Sequence, residues 1–181
     1  MFRYCPSCAS ENIRFEKQKV FRCPDCGFTY YHNTAAATGC IIVTKKGILF
    51  EVRGKDPGKG RLDLPGGFVD PGEGAFEGLR RELTEELGWD PCTALSGAEK
   101  SPQRLFTLFA SFPNKYPYKN IPYNTCDFFF YLKAPDLQEK DLRLEEAEIA
   151  GVRFIRPEDI NPEDIAFESA RRAVAGYLRE H

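Results

Sequence analysis

The sequence predicts a mixed α and β protein with a small metal-held module at its front, and three observations carry that reading. Apolar runs of strand length recur, as in Thr38-Gly39-Cys40-Ile41-Ile42-Val43 and Ile48-Leu49-Phe50-Glu51-Val52-Arg53. Phe76, Leu79, Leu83 and Leu87 repeat at the three- and four-residue spacing of one helix face. Four of the seven cysteines form the pairs Cys5-x2-Cys8 and Cys23-x2-Cys26, with 14 residues between the pairs.

The chain has 181 residues, enough for one ordinary domain plus a small appendage. Apolar residues at 42% and aromatics at 13% exclude a disordered chain. A net charge of −2 gives no global field to draw in nucleic acid or an anionic membrane. There is no apolar run of membrane-spanning length, and the opening MFRYCPSC has no apolar segment of signal-peptide length. The expected compartment is the cytoplasm, with no membrane partner.

Taken in order, residues 1–33 read as a ribbon. Each cysteine pair has a proline inside it, CPSC and CPDC, and Gly27 follows the second. Two such knuckles can set Cys5, Cys8, Cys23 and Cys26 around one tetrahedral Zn²⁺. With four protein ligands and no open position, that zinc would be structural. Redox pairs or disulfides are the alternative, disfavoured in a reducing compartment. His32 falls outside the complete cysteine set and reads as a linker or interface residue. Cys40, Cys92 and Cys126 read as small buried apolar side chains.

Residues 34–181 then form the main domain. Lys45-Lys46-Gly47 is a turn between the first two strands, and Gly54 to Gly60 is a loop. A helix is expected from near Glu73 to near Gly88, with Pro91 beyond it. Arg104 to Phe112 and Thr125 to Leu132 read as strands. Pro113 to Tyr123, with three tyrosines and three prolines, reads as a loop that could stack a base or pack rigidly against the ribbon. Gly151 to Ile155 is a late strand. Pro162 to Glu180 is a terminal helix with Ala166, Ala170, Ala173, Val174 and Tyr177 inward.

The chemistry concentrates between Gly67 and Trp89. Glu82, Glu85 and Glu86 stand at i, i+3 and i+4 and so project from one side of the helix. Like charges at that spacing repel by ~0.2–0.5 kcal/mol, which helix design alone does not call for. A hard divalent cation does call for it, because it takes oxygen ligands. A solvated acidic helix face is the bland alternative.

Gly67, Glu73, Arg81, Glu82, Leu83, Glu85, Glu86 and Gly88 resemble the Nudix box, G-x5-E-x7-R-E-U-x-E-E-x-G-U, where U is a bulky aliphatic residue. Trp89 departs from the last position, which is a packing role. The resemblance covers roughly residues 34–181 and implies an α/β/α sandwich around a mixed sheet, preceded here by the zinc ribbon. It implies Mg²⁺- or Mn²⁺-dependent hydrolysis of a pyrophosphate bond in a nucleoside diphosphate joined to another group. It also implies Glu82 and Glu86 as principal metal ligands, with Glu85 beside them and the Gly66 carbonyl as a further ligand. Arg81 would orient a glutamate, and Glu73 would fix the loop. Relatives of this kind are often dimers.

In some such enzymes a glutamate from a later loop is the general base, and Glu148 among Glu145, Glu146 and Glu148 is the candidate here. Arg53, Lys55 and Lys59 could meet phosphate oxygens or be solvated loop charges. A zinc ribbon ahead of a Nudix domain resembles NADH pyrophosphatases. Their SQPWPFPxS-type signature is absent, since the chain has Ser101-Pro102-Gln103-Arg104 and Ser111-Phe112-Pro113. The proline of ADP-ribose pyrophosphatases is likewise replaced, by Arg104 or Leu105. The substrate therefore stays open among NADH or NAD, ADP-ribose and related compounds. Removal of a nucleotide cap from RNA, or non-catalytic nucleotide sensing, are the alternatives.

Overall fold

The computed structural model of this chain describes residues 2–95, 101–118 and 121–180. It has two compact units, one built on Met1–Thr34 and a larger one built on Ala35–Tyr118 and Pro122–His181.

The small unit holds a three-stranded antiparallel sheet of β1 (Arg14–Glu16), β2 (Val20–Arg22) and β3 (Thr29–Tyr31), in that order. Val20 and Phe21 are buried, and Phe15 stacks on Phe21 with ring centroids 4.2 Å apart. His32 meets both rings edge-on and stands outside the cysteine group. A core this small needs a staple to be stable by itself.

The large unit is a mixed sheet of β4 (Ala35–Thr44), β5 (Gly47–Arg53), β6 (Leu62–Asp63), β7 (Thr107–Tyr118), β8 (Ile121–Lys133) and β9 (Ile149–Ile155). The order is β6-β5-β4-β8-β7, with β9 pairing on β5. Thr44 pairs with Gly47 across the Lys45–Lys46 turn, as the sequence led us to expect. β8 runs parallel to β4, from Ala35 opposite Thr125 to Val43 opposite Lys133.

Four helices complete the unit among the described residues: α1 (Ala75–Leu87), α2 (Pro91–Ala94), α3 (Pro102–Leu105) and α4 (Glu168–Glu180). Side chains alternate across the sheet. Cys40, Ile42, Leu49, Phe130 and Leu132 pack with Leu79, Leu83 and Leu87 of α1. Ile41, Ile48, Phe50 and Phe129 pack with Ala170, Ala173, Val174 and Tyr177 of α4. The sheet is thus sandwiched between two helical layers, the α/β/α architecture the box implies. Strands buried on both faces are apolar at nearly every position, which is why β4 and β5 read as near-continuous runs.

Several expected boundaries move, each for a physical reason. The box helix begins at Ala75 because Glu73 belongs to the preceding turn, where its N–H donates to the Asp70 carbonyl at 3.1 Å. Gly88 closes the helix in the left-handed conformation, φ 58°. The terminal helix begins at Glu168, not Pro162. Pro162–Asp164 is a 3₁₀ turn capped by Asn161, and Ala166 lies on the link behind it, donating its N–H to the Leu62 carbonyl.

The largest correction concerns the tyrosine stretch. α3 takes Pro102–Leu105, so the strand begins at Thr107, and it continues to Tyr118 through what reads as a loop. β8 likewise begins at Ile121. Lys119 and Asn120 lie outside the described residues. β7 is the sheet's edge, where Pro113 and Pro117 can sit without breaking a central ladder.

Candidate active site

The site begins where the chain leaves β6. Cys40 donates its N–H to the Pro65 carbonyl, Thr38 to that of Gly67, and Val69 to that of Ala36, so the segment 65–69 is laced along β4. Gly66 has φ 138°, and a β-carbon there would lie 2.3 Å from the Thr38 carbonyl oxygen. Only glycine fits. A β-carbon on Gly67 would lie 2.6 Å from the Glu82 carboxylate, so the box glycine is needed for close approach of that acid.

α1 buries Leu79, Leu83 and Leu87 and presents Glu82, Glu85 and Glu86 to a cleft of about 830 Å³. The Gly66 N–H donates to Glu86 Oε2 at 2.9 Å. Arg81 is the hub of the acids. Its Nε donates to Glu73 Oε1 at 2.9 Å and its Nη2 to Glu73 Oε2 at 3.1 Å. Its Nη1 reaches both Glu82 and Glu85 at 2.9 Å, and Nη2 also donates to the Phe68 carbonyl. Glu73 in turn accepts from the Asp70 N–H at 3.1 Å. Arg81 holds the Glu73 carboxyl below the usual range. Glu73 thus secures the loop and the arginine.

The turn before β9 is tied to the end of α1. Arg143 donates its N–H to the Leu87 carbonyl at 2.7 Å and Glu145 to that of Glu86 at 2.9 Å. This brings Glu145 and Glu148 to the cleft, Glu148 ion-paired with Lys55, while Glu146 does not line it. Lys55 also lines the cleft; Lys59 does not. Arg53 is engaged deeper, on Asp63 at 2.8 Å and over the Phe167 ring at 4.9 Å. Phe68, Tyr116, Tyr123 and Phe167 line the same cleft.

The acids crowd one another. Burial, then the nearby charges of Glu82, Asp63 and Glu148, push the Glu86 carboxyl up to about 8. Burial also raises Glu82, and raises Asp63 to about 6 despite Arg53. Two acids that sequence reading passed over belong to this group. Glu51 on β5 is 2% exposed and its Oε1 has no hydrogen-bond partner among the described residues. Its carboxyl is raised well above the ordinary value by burial and then by Glu86. Asp63 on β6 is the other. Each is a charged residue set in an apolar strand run, and that mismatch is the signal that marks them. Crowded, partly neutralised carboxylates around a glycine loop fit a divalent cation, which would relieve their mutual repulsion.

The four thiols of the small unit gather independently. Cys5 Sγ lies 3.6 Å from Cys26 Sγ and Cys8 Sγ 3.7 Å from Cys23 Sγ, and all four sulfurs lie within 4.8 Å of one another. A disulfide needs an S–S distance of ~2.05 Å. A tetrahedron of thiolates around zinc, with Zn–S ~2.3 Å, has edges of about 3.8 Å. The sulfur spacing fits a four-cysteine metal site.

Residues 33–175 match the family model described as the NUDIX domain, and the chain belongs to that family. Over 76 residues it is 42% identical to an ADP-ribose pyrophosphatase of Methanocaldococcus jannaschii, covering 41% of this chain and 44% of that protein. Over 88 residues it is 30% identical to the NAD-capped RNA hydrolase NudC of Stutzerimonas stutzeri, covering 49% of this chain and 32% of that protein. The chain thus spans less than half the length of these curated relatives. A crystal structure of a NUDIX hydrolase from Nitrosomonas europaea shares the fold with a TM-score of 0.68, at 23% identity, covering 99% of this chain and 92% of that one. Among the described residues no helix is long and apolar enough to cross a membrane.

Proposed function

We propose that this chain is a divalent-cation-dependent hydrolase that splits the pyrophosphate bond of a nucleoside diphosphate joined to a second group, with ADP-ribose or an NAD compound as substrate. One observation carries this reading. The box glutamates, the Gly66 loop and the Glu148 turn meet in a single cleft that Phe68, Tyr116, Tyr123 and Phe167 also line. Acids suited to a cation and rings suited to a base, in one cleft, match the two halves of such a molecule. The names of the curated relatives agree with it.

Glu82 and Glu86, with Glu85 alongside and the Gly66 carbonyl, would hold Mg²⁺ or Mn²⁺. A bound cation of this kind neutralises phosphoryl oxygens and lowers the pKa of water. Arg81 keeps Glu82 and Glu85 oriented by charge-assisted bonds. Glu148 takes the proton from the attacking water, and Lys55 beside it faces the phosphate charge. The water oxygen bonds to one phosphorus, the bridging P–O bond breaks, and its electrons leave with the other phosphate. The four cysteines hold a structural Zn²⁺.

A second reading, removal of an NAD cap from RNA, has the name of the NudC relative in its favour and uses the same bond. A panel of ADP-ribose, NAD⁺, NADH and NAD-capped RNA with Mg²⁺ or Mn²⁺, with products identified by mass, tests both. AMP released from the small molecules supports the leading reading. Turnover of capped RNA alone supports the second. No turnover on any member, with folded protein, contradicts both.

A further inference from the structure

In the same cleft the sheet carries two polar groups to which the hydrolytic scheme gives no role, Thr125 and Asp127. Asp127 stands close enough to Asp63 to add to the rise that burial gives its carboxyl. β8 alternates Tyr123, Thr125, Asp127 and Phe129 toward the cleft. Thr125 is 3% exposed and Asp127 7% exposed. Asp127 Oδ2 accepts from the Ser169 hydroxyl at 2.6 Å, which fixes the carboxylate from the first turn of α4. Its other oxygen, Oδ1, has no hydrogen-bond partner among the described residues, and neither has Thr125 Oγ1. A buried acceptor left unmade is costly, more so when charged, so a ligand donor that satisfies it is favoured. The parallel partners of these residues on β4 are Ala35 and Ala37, which leave the floor beside them open.

The walls around this floor are rings. Phe68 meets Tyr116 edge-on at 5.5 Å and Tyr123 at 6.3 Å, while Tyr116 lies 5.5 Å from Phe167. Aromatic walls favour a flat π system. A free carboxylate oxygen accepts only, so it requires an N–H or O–H. The threonine hydroxyl beside it both donates and accepts. A flat ring with an exocyclic amine next to a ring nitrogen satisfies both groups at once.

We propose that Asp127 and Thr125 select the base of the substrate by reading the amino-bearing edge of adenine. Asp127 Oδ1 accepts from the 6-amino group, and the Thr125 hydroxyl donates to the adjoining ring nitrogen. The inference rests on the reading of the cleft as a site for ADP-ribose or an NAD compound and names the residues that read its base. A 6-oxo purine would set its carbonyl oxygen against the carboxylate and be rejected. Site-built hydrogen bonds of this kind discriminate strongly because the wrong ligand leaves buried groups unpaired.

The test compares ADP-ribose with its hypoxanthine counterpart in steady-state hydrolysis by the full chain, alongside calorimetric binding of AMP and IMP. The wild type should prefer adenine by on the order of 30-fold in kcat/KM, expressed mainly in KM. Asp127→Asn keeps the side-chain shape and an oxygen for Ser169, and should bring the preference to parity or invert it. Thr125→Val should weaken adenine binding about 5–10-fold, the loss of one ordinary hydrogen bond. A purely structural Asp127 would change turnover of both substrates equally, and that outcome overturns the proposal. Equal hydrolysis of both bases by the wild type also overturns it while leaving the hydrolase reading intact. No hydrolysis, but AMP bound over IMP with the preference lost in Asp127→Asn, would keep the base site and remove the hydrolase. Should Asp127→Asn fail to fold, Thr125→Val decides alone.

Discussion

The Gly66 N–H donates to Glu86 Oε2 at 2.9 Å, joining a loop and a helix face that stand 20 residues apart in the chain. The bond aims a carboxyl raised to about 8 at a backbone position that only glycine can take, φ 138° with the Thr38 carbonyl 2.3 Å from an added β-carbon. Metal ligation in this account depends on that pairing of loop and acid.

Gly66→Ala should therefore cost more than its single methyl suggests. The strain of a positive φ adds roughly 1–3 kcal/mol, and the loop must leave β4 to relieve the clash. Thermal unfolding should shift down, and stabilisation by Mg²⁺ should disappear. A variant with the wild-type Mg²⁺ response would show that the loop carries no part of the cation site.

Arg81 joins Glu73, Glu82 and Glu85 through one guanidinium. Lysine has no planar fork and cannot hold three carboxylates in fixed directions. Arg81→Lys should lower kcat on the order of 100-fold through misplacement of the acids. Glu73→Gln, which leaves Glu82 and Glu85 paired, should lower it less. Steady-state kinetics on the two variants, with circular dichroism to verify folding, checks the order; the reverse order would contradict the hub role.

Without Mg²⁺ or Mn²⁺, stability should fall as pH rises. The carboxyls of Glu86 and Asp63 are raised in the folded chain to about 8 and about 6, against ~4 in an unfolded one. Between those limits the native state binds more protons than the unfolded state, so the free energy of unfolding decreases with pH. The Tm of protein with zinc retained but no Mg²⁺ or Mn²⁺ present should decline from pH 5 to 8.5, and added Mg²⁺ should raise it more at pH 8.5 than at pH 5. A Tm that climbs over that range without those cations would refute the crowding of these acids.

The box was legible because its chemistry is local. Glu82, Glu85, Glu86 and Arg81 lie within two helical turns, where spacing alone dictates a shared side. Glu51, Asp63, Thr125 and Asp127 were not, because β-strand positions meet the box acids or the cleft only through pairings distant in sequence, such as Ala37 with Asp127. The length of β7 was hidden by Pro113 and Pro117, which mark a loop anywhere except on a sheet edge. The cysteine pairs read clearly since two fixed knuckles need only one ion to bring them together.

Removal of that ion should unfold the small unit. Cys23→Ser, or a strong chelator, should lower zinc from one per chain to none by elemental analysis. It should also abolish protection of the β1–β3 amides from hydrogen exchange. Protected amides in a zinc-free protein would mean that the core of Val20, Phe21 and Phe15 suffices alone.

The central claim is that the acids of α1 hold a catalytic cation, and Glu86→Gln tests it most directly. The substitution preserves shape and removes one charge. Measured as AMP released from ADP-ribose over a Mg²⁺ titration, turnover should fall by three or more orders of magnitude, with the fold and zinc content unchanged. Wild-type turnover with the same Mg²⁺ dependence in Glu86→Gln would contradict the account.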